Sequence, residues 1–156
     1  MNPGIFLPLF SGYVLGVIWL AQESDTVELG KRLASRLRAG DLVLLDGQLG
    51  AGKTTLVRGI LAGLGWNGAV RSPSFSVMVP YSTEPPALHV DLYRLQGEIG
   101  LDLVEELQGR IGLIEWPGPS PEWNEVGRVW RVRFEWRGEG RMVSVDVPEG
   151  EVAFEA

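Results

Sequence analysis

Residues 47–55, Gly-Gln-Leu-Gly-Ala-Gly-Lys-Thr-Thr, have the types and spacing to bind a chain of phosphates. They satisfy the pattern G-x-x-x-x-G-K-[S or T] at every fixed position. Glycines at 47, 50 and 52 let the backbone take φ values that a Cβ forbids, so that successive amide N–H groups point into one concavity. A helix starting at 52 or 53 would add the positive end of its dipole at the same place. Lys53 is then placed to reach the β- and γ-phosphates of a nucleotide, and the Thr54 hydroxyl to ligate Mg²⁺. Of 14 basic residues only Lys31 and Lys53 are lysine, so a chain that otherwise uses arginine keeps a compact ammonium at the one point where a guanidinium fork is too wide.

The flanking residues supply what such a loop needs. Leu42, Val43, Leu44 and Leu45 form an apolar run suited to a buried strand. Leu56, Ile60, Leu61 and Leu64 recur at helical spacing, with Gly63 and Gly65 where a helix would stop. Upstream, Val17 to Leu20 is expected to form a first strand. Residues 22–26 offer N-cap side chains for a helix whose apolar face is Val27, Leu29, Leu33, Ala34 and Leu37, ending at Gly40.

Two further apolar stretches, 87–91 and 111–115, each end in an acid, Asp91 and Glu115. A phosphate-loop enzyme needs a carboxylate at a strand's C-terminal edge to hold Mg²⁺ directly or through water. The chain offers two candidates, and spacing alone does not choose between them. Residues 102–107 read as a short helix joining these strands. His89, the sole histidine, lies between Leu88 and Val90 and reads as a packed core histidine with one hydrogen bond.

Residues 69–77 place small hydroxyls around Pro73. They read either as a turn leading into a strand over 75–79, or as a mobile loop whose Ser72, Ser74 or Ser76 senses the γ-phosphate or its metal. Farther on, Trp130, Val132, Phe134 and Trp136 alternate with Arg131, Arg133, Glu135 and Arg137. Gly138-Glu139-Gly140 turns the chain, and Val143, Val145 and Val147 return. This is an antiparallel hairpin with its aromatics toward the core and its arginines toward water.

Composition sets bounds on the rest. The 156 residues suit one domain; 45% are apolar and 22% charged, and the net charge is −6. An acidic chain does not hold nucleic acid by bulk charge, so any RNA connection runs through a partner. Without cysteine there is neither a disulfide framework nor a thiolate metal site, which suits a cytoplasmic protein. Residues 5–21 are apolar but broken by Pro8, Ser11, Gly12 and Gly16, with no basic residue ahead of them; they read as an extension without membrane function. The expected division is an N-terminal extension over 1–16, one phosphate-loop NTPase domain over 17–147, and a frayed acidic tail over 148–156. The expected fold is a three-layer α/β phosphate-loop (P-loop) NTPase fold, its sheet largely parallel with a C-terminal antiparallel hairpin.

The order of motifs resembles one family, the bacterial TsaE proteins (older name YjeE), ATPases of tRNA threonylcarbamoyladenosine synthesis. The resemblance rests on residues 47–55, on Ser72-Pro73-Ser74-Phe75, on residues 89–95 (His-Val-Asp-Leu-Tyr-Arg-Leu) and on Ile114-Glu115-Trp116-Pro117. It implies that Leu49, Gly50, Ala51, Gly52, Lys53 and Thr54 hold the ATP phosphates, that Thr54 and Glu115 ligate Mg²⁺, and that Asp91 is required for activity. It also makes Thr55 and Trp116 functional positions, Thr26 and Arg141 ATP contacts, and Ser74 a sensor where threonine is usual. Gly118 stands where an acid is frequent, and the apolar start is unusual. The implied activity is an ATPase, weak in isolation, acting with the partner proteins TsaD and TsaB and meeting tRNA only through them. A small-molecule kinase using Arg71 and Arg94, and a nucleotide-gated switch without useful turnover, are the alternatives.

Overall fold

The computed structural model describes residues 16–48, 50–73, 77–93, 100–118 and 122–154. Leu49, Ser74, Phe75, Ser76 and Arg94 therefore lie outside the described residues, as do residues 1–15. Seven strands form one sheet: β1 (Gly16–Leu20), β2 (Leu42–Asp46), β3 (Met78–Tyr81), β4 (Ala87–Asp91), β5 (Ile111–Glu115), β6 (Val129–Arg137) and β7 (Gly140–Asp146). Their order is β1-β7-β6-β2-β5-β4-β3. The four central strands, β6, β2, β5 and β4, run parallel. Antiparallel partners flank them, β7 and then β1 on one side and β3 on the other. The expected largely parallel sheet with a C-terminal antiparallel hairpin is the one observed. Strand β3 begins at Met78, later than the sequence suggests.

Helices α1 (Glu23–Ala34) and α2 (Lys53–Gly63) cover one face, and α3 (Leu101–Leu107) with the short α4 (Trp123–Val126) serves the other. One core joins Leu29, Leu33, Leu56 and Ile60 to Val43, Leu45 and Trp130. The other joins Leu103, Leu107 and Trp123 to Leu42, Leu44 and Ile114. Alternate residues of β2 thus feed opposite cores, as a central strand buried on both faces requires. Among the described residues no helix is long and apolar enough to cross a membrane.

Helix α1 starts where Asp25 Oδ2 accepts the backbone N–H groups of Ala21 and Gln22 at 3.0 and 3.1 Å, satisfying donors at the helix entry. It then lies unusually close to α2. A Cβ built on Gly59 would come 2.3 Å from the Val27 carbonyl oxygen, backbone that cannot swing aside. Gly59→Ala is expected to destabilise by about 2 kcal/mol, overpacking outweighing alanine's better helix propensity. In a thermal melt that is a fall of roughly 4–8 °C; an unchanged melting temperature would show that the helices can separate without loss.

The C-terminal segment departs from the frayed tail expected. Phe154 is 3% exposed, with the Arg32 and Arg36 guanidinium carbons 4.8 and 5.6 Å from its ring centroid. Glu151 accepts from Arg128 at 2.7 Å and Arg36 at 3.3 Å. Those hydrogen bonds hold its carboxyl below the usual range. Phe154 packs on Arg32 of α1, and Glu151 ties the segment to Arg36, just past that helix, and to Arg128.

Candidate phosphate-binding site

The loop leaves β2 after Asp46 and enters α2 at Lys53. Gly52 is the N-cap with φ +112°, a left-handed conformation that side chains rarely adopt. Its Cα is also overlain by Arg141, whose Nε would stand 3.3 Å from a Cβ at that position. Two constraints, one on backbone angle and one on space, thus select glycine here.

Lys53 is 4% exposed. Its ammonium donates to the Gly47 carbonyl oxygen at 2.5 Å and lies 3.4 Å from the Trp116 ring centroid, a cation–π contact. Burial lowers the Lys53 pKa, opposed by the charges of Glu115, Asp91 and Asp46. Trp116 follows β5 with φ +57° and also packs on Tyr93, ring centroids 5.0 Å apart.

The two strand-end acids are neighbours, Asp91 pairing with Glu115 in the β4–β5 register, but their settings differ. Asp91 is half-buried and accepts the Tyr93 backbone N–H at 3.0 Å. Glu115 is 4% exposed. Its Oε1 lies 3.4 Å from the Thr54 hydroxyl oxygen and its Oε2 lies 2.5 Å from His89 Nε2. His89 does pack in the core with one hydrogen bond, as its sequence setting suggests, but that bond goes to the acid at the site.

The site fits a magnesium ion shared with phosphates. Neighbouring oxygens around Mg²⁺ stand about 2.9 Å apart, given bonds of 2.0–2.1 Å in an octahedron. The Thr54 and Glu115 oxygens are already within about half an ångström of that spacing. Among the described residues no three His, Asp or Glu side chains form a metal cage.

Of the other residues singled out by sequence, Gly50, Ala51 and Thr55 lie in the loop and first turn of α2. Arg141 is brought to the loop, its guanidinium carbon 4.4 Å from the Trp136 ring centroid and its buried Nε without a hydrogen-bond partner among the described residues. Thr26 is fully buried on the packed face of α1 with Leu29, Gly30 and Leu33, and its hydroxyl has no hydrogen-bond partner among the described residues. Ser72 is exposed, and the other two hydroxyl positions of that segment, Ser74 and Ser76, lie outside the described residues. Val77, directly after them, holds φ +63°, costly for a β-branched residue, and its carbonyl accepts the Asp91 N–H at 2.8 Å.

A glycine loop between a central parallel strand and a helix, with a lysine and a threonine opening that helix and a buried acid on the adjacent strand, defines an α/β protein of the phosphate-loop nucleotide-binding class. The family profile described as "Threonylcarbamoyl adenosine biosynthesis protein TsaE" matches residues 20–142. The chain belongs to the TsaE family. It is 52% identical over 98 residues to the tRNA threonylcarbamoyladenosine biosynthesis protein TsaE of Streptomyces coelicolor, covering 57% of this chain and 65% of the relative. For the protein of the same name from Mycobacterium leprae the figures are 46% over 96 residues, 59% and 60%. The matches thus span less than two thirds of these relatives. The Nostoc protein is 41% identical over 110 residues, with 69% of this chain and 67% of the relative covered. The crystal structure of Bacillus subtilis YdiB superposes with a TM-score of 0.68 at 25% identity, covering 88% of this chain and 89% of that one.

Proposed function

We propose that this protein is a magnesium-dependent ATP-binding protein and ATPase, residues 17–147 forming its catalytic domain. It acts in the cytoplasm with TsaD and TsaB to form the threonylcarbamoyl group on the anticodon-loop adenosine of tRNA. The observation that carries the reading is the convergence of the Lys53 ammonium, the Thr54 hydroxyl and the Glu115 carboxylate where the glycine loop meets α2. The loop amides and Lys53 offset the charge of the transferring phosphoryl group, a contribution that grows as the site dries. Thr54 and Glu115 would hold magnesium, which when bound neutralises charge on the phosphate oxygens. Asp91, beside Glu115 and bonded to the Tyr93 N–H, would orient water or the metal's outer shell. Arg141 adds a positive charge at Gly52 and, with Gly50, Ala51 and Thr55, completes the nucleotide contacts. Leu49 and the Ser74 and Trp116 sensor positions belong to the same reading.

Turnover in isolation is expected to be slow, because the phosphate-facing charge is completed by a partner. Calorimetry with ATP and Mg²⁺ tests the site, and a pull-down against TsaD and TsaB with and without ATP tests the assembly. Absence of heat would remove the nucleotide reading. Absence of capture under either condition would remove the pathway alone. Labelled γ-phosphate transferred to a nucleoside or nucleotide acceptor rather than to water would favour the small-molecule kinase instead. Binding without single turnover, even with the partners present, would favour the switch.

A further inference from the structure

We propose that His89 is a positioning residue that fixes how Glu115 presents its carboxylate to the metal. The inference rests on the reading that Thr54 and Glu115 hold magnesium, and it assigns a role to a side chain outside that set. In the parallel β4–β5 register His89 lies opposite Leu113 and Asp91 opposite Glu115. His89 and Glu115 therefore project from the same sheet face, one pleat apart on adjacent strands. The imidazole is 0% exposed and Nε2 meets Glu115 Oε2 at 2.5 Å. An ionised carboxylate only accepts, so Nε2 is the donor in this bond.

Nδ1 is buried with no hydrogen-bond partner among the described residues. A position serving packing alone would be filled better by leucine, because a buried polar atom left without a partner costs stability. What the imidazole contributes is the single bond to Glu115. That bond occupies one carboxylate oxygen and stops the group rotating, which leaves Oε1 directed at the Thr54 hydroxyl. It thereby favours presentation of one oxygen over both, and loss of a hydrogen-bonded partner of this kind typically costs about 10–100-fold in metal affinity.

The test compares His89→Leu, His89→Gln and His89→Asn with the wild type. Mn²⁺ is titrated by electron paramagnetic resonance in the presence of a non-hydrolysable ATP analogue, a fluorescent ATP analogue reports nucleotide affinity without metal, and melting temperatures are recorded. His89→Leu is expected to weaken Mn²⁺ binding by about 10–100-fold while metal-free nucleotide affinity stays within about twofold. His89→Gln, whose amide can donate over a comparable reach, recovers part of the loss; His89→Asn, too short, does not. That order between Gln and Asn carries the test even if the leucine variant does not fold. Wild-type Mn²⁺ affinity in all three variants would overturn the inference. So would a parallel loss of metal affinity, nucleotide affinity and melting temperature with no difference between Gln and Asn, which is the signature of a purely structural histidine. Failure of the reading beneath it shows separately, in the wild-type arm, as nucleotide binding that Mn²⁺ does not affect.

Discussion

Lys53→Met is expected to reduce ATP turnover by about 10²–10³-fold, the scale set by removing one preorganised charge-stabilising donor, while barely changing the stability of the ligand-free protein. The two halves of that expectation come from the same geometry. The ammonium is 4% exposed, and burial is the largest influence on its pKa, driving it down. Losing the charge therefore relieves a desolvation cost and, in the opposite direction, removes a favourable charge from Glu115 and Asp91, while Asp46 keeps Arg131 at 3.1 Å. Methionine keeps most of the stem but loses the ammonium's bond to the Gly47 carbonyl and its cation–π contact with Trp116. The net change should stay below about 1 kcal/mol, or roughly 2–4 °C in a melt. Calorimetry, steady-state turnover and melting on the same preparation separate the outcomes. A variant that melts like the wild type and still turns over ATP would show that the ammonium is a packing element. One that is inactive and also strongly destabilised would show that the loop needs Lys53 to fold.

The loop was legible because its letters specify backbone. Residues 47–55 dictate the glycine angles, and the apolar runs on either side dictate strand and helix. Asp91 and Glu115 were legible as strand-end acids for the same reason. The difference between their settings was not, because it depends on register: Glu115 is buried between Thr54 and His89, which come from α2 and β4, whereas Asp91 spends one oxygen on its own following turn. His89 shows the limit most clearly. Leu88 and Val90 beside it indicate a core position, and it is one, but the acid it contacts is 26 residues away and reached only through strand pairing. Thr26, which the resemblance assigns to the nucleotide, is turned inward by its helical phase on α1. At the C-terminus, surrounding acids concealed Phe154, whose burial needs the cationic face of α1. Trp136, expected inward, is among the exposed aromatics, covered in part by Arg141.

Asp41→Ala is expected to be among the most damaging single changes to stability while sparing the nucleotide site. Asp41 sits just before the first residue of β2, at the opposite end of that strand from the loop, and is 1% exposed. It accepts four hydrogen bonds: from Arg128 Nε at 2.8 Å, Arg128 Nη2 at 3.0 Å, Trp130 Nε1 at 3.0 Å and the Arg38 backbone N–H at 3.0 Å. Together with Glu151, these bonds raise the Arg128 pKa further above its ordinary range. Alanine strands the indole N–H inside the core and leaves Arg128 with Glu151 as its remaining acid, at 2.7 Å. Breaking a buried pair from one side costs about 3–5 kcal/mol, or roughly 6–20 °C in melting temperature for a chain of this size. Asp41→Asn keeps the volume and one accepting oxygen, so it should lose less. Because β2 transmits no charge between its ends, the surviving folded fraction of either variant should bind ATP within about twofold of the wild type. A wild-type melting temperature for Asp41→Ala would mean that water or Glu151 replaces every bond Asp41 makes. A large loss of ATP affinity at a temperature where the variant remains folded would mean that the two ends of the strand are coupled, and the division between an anchoring end and a binding end would have to be given up.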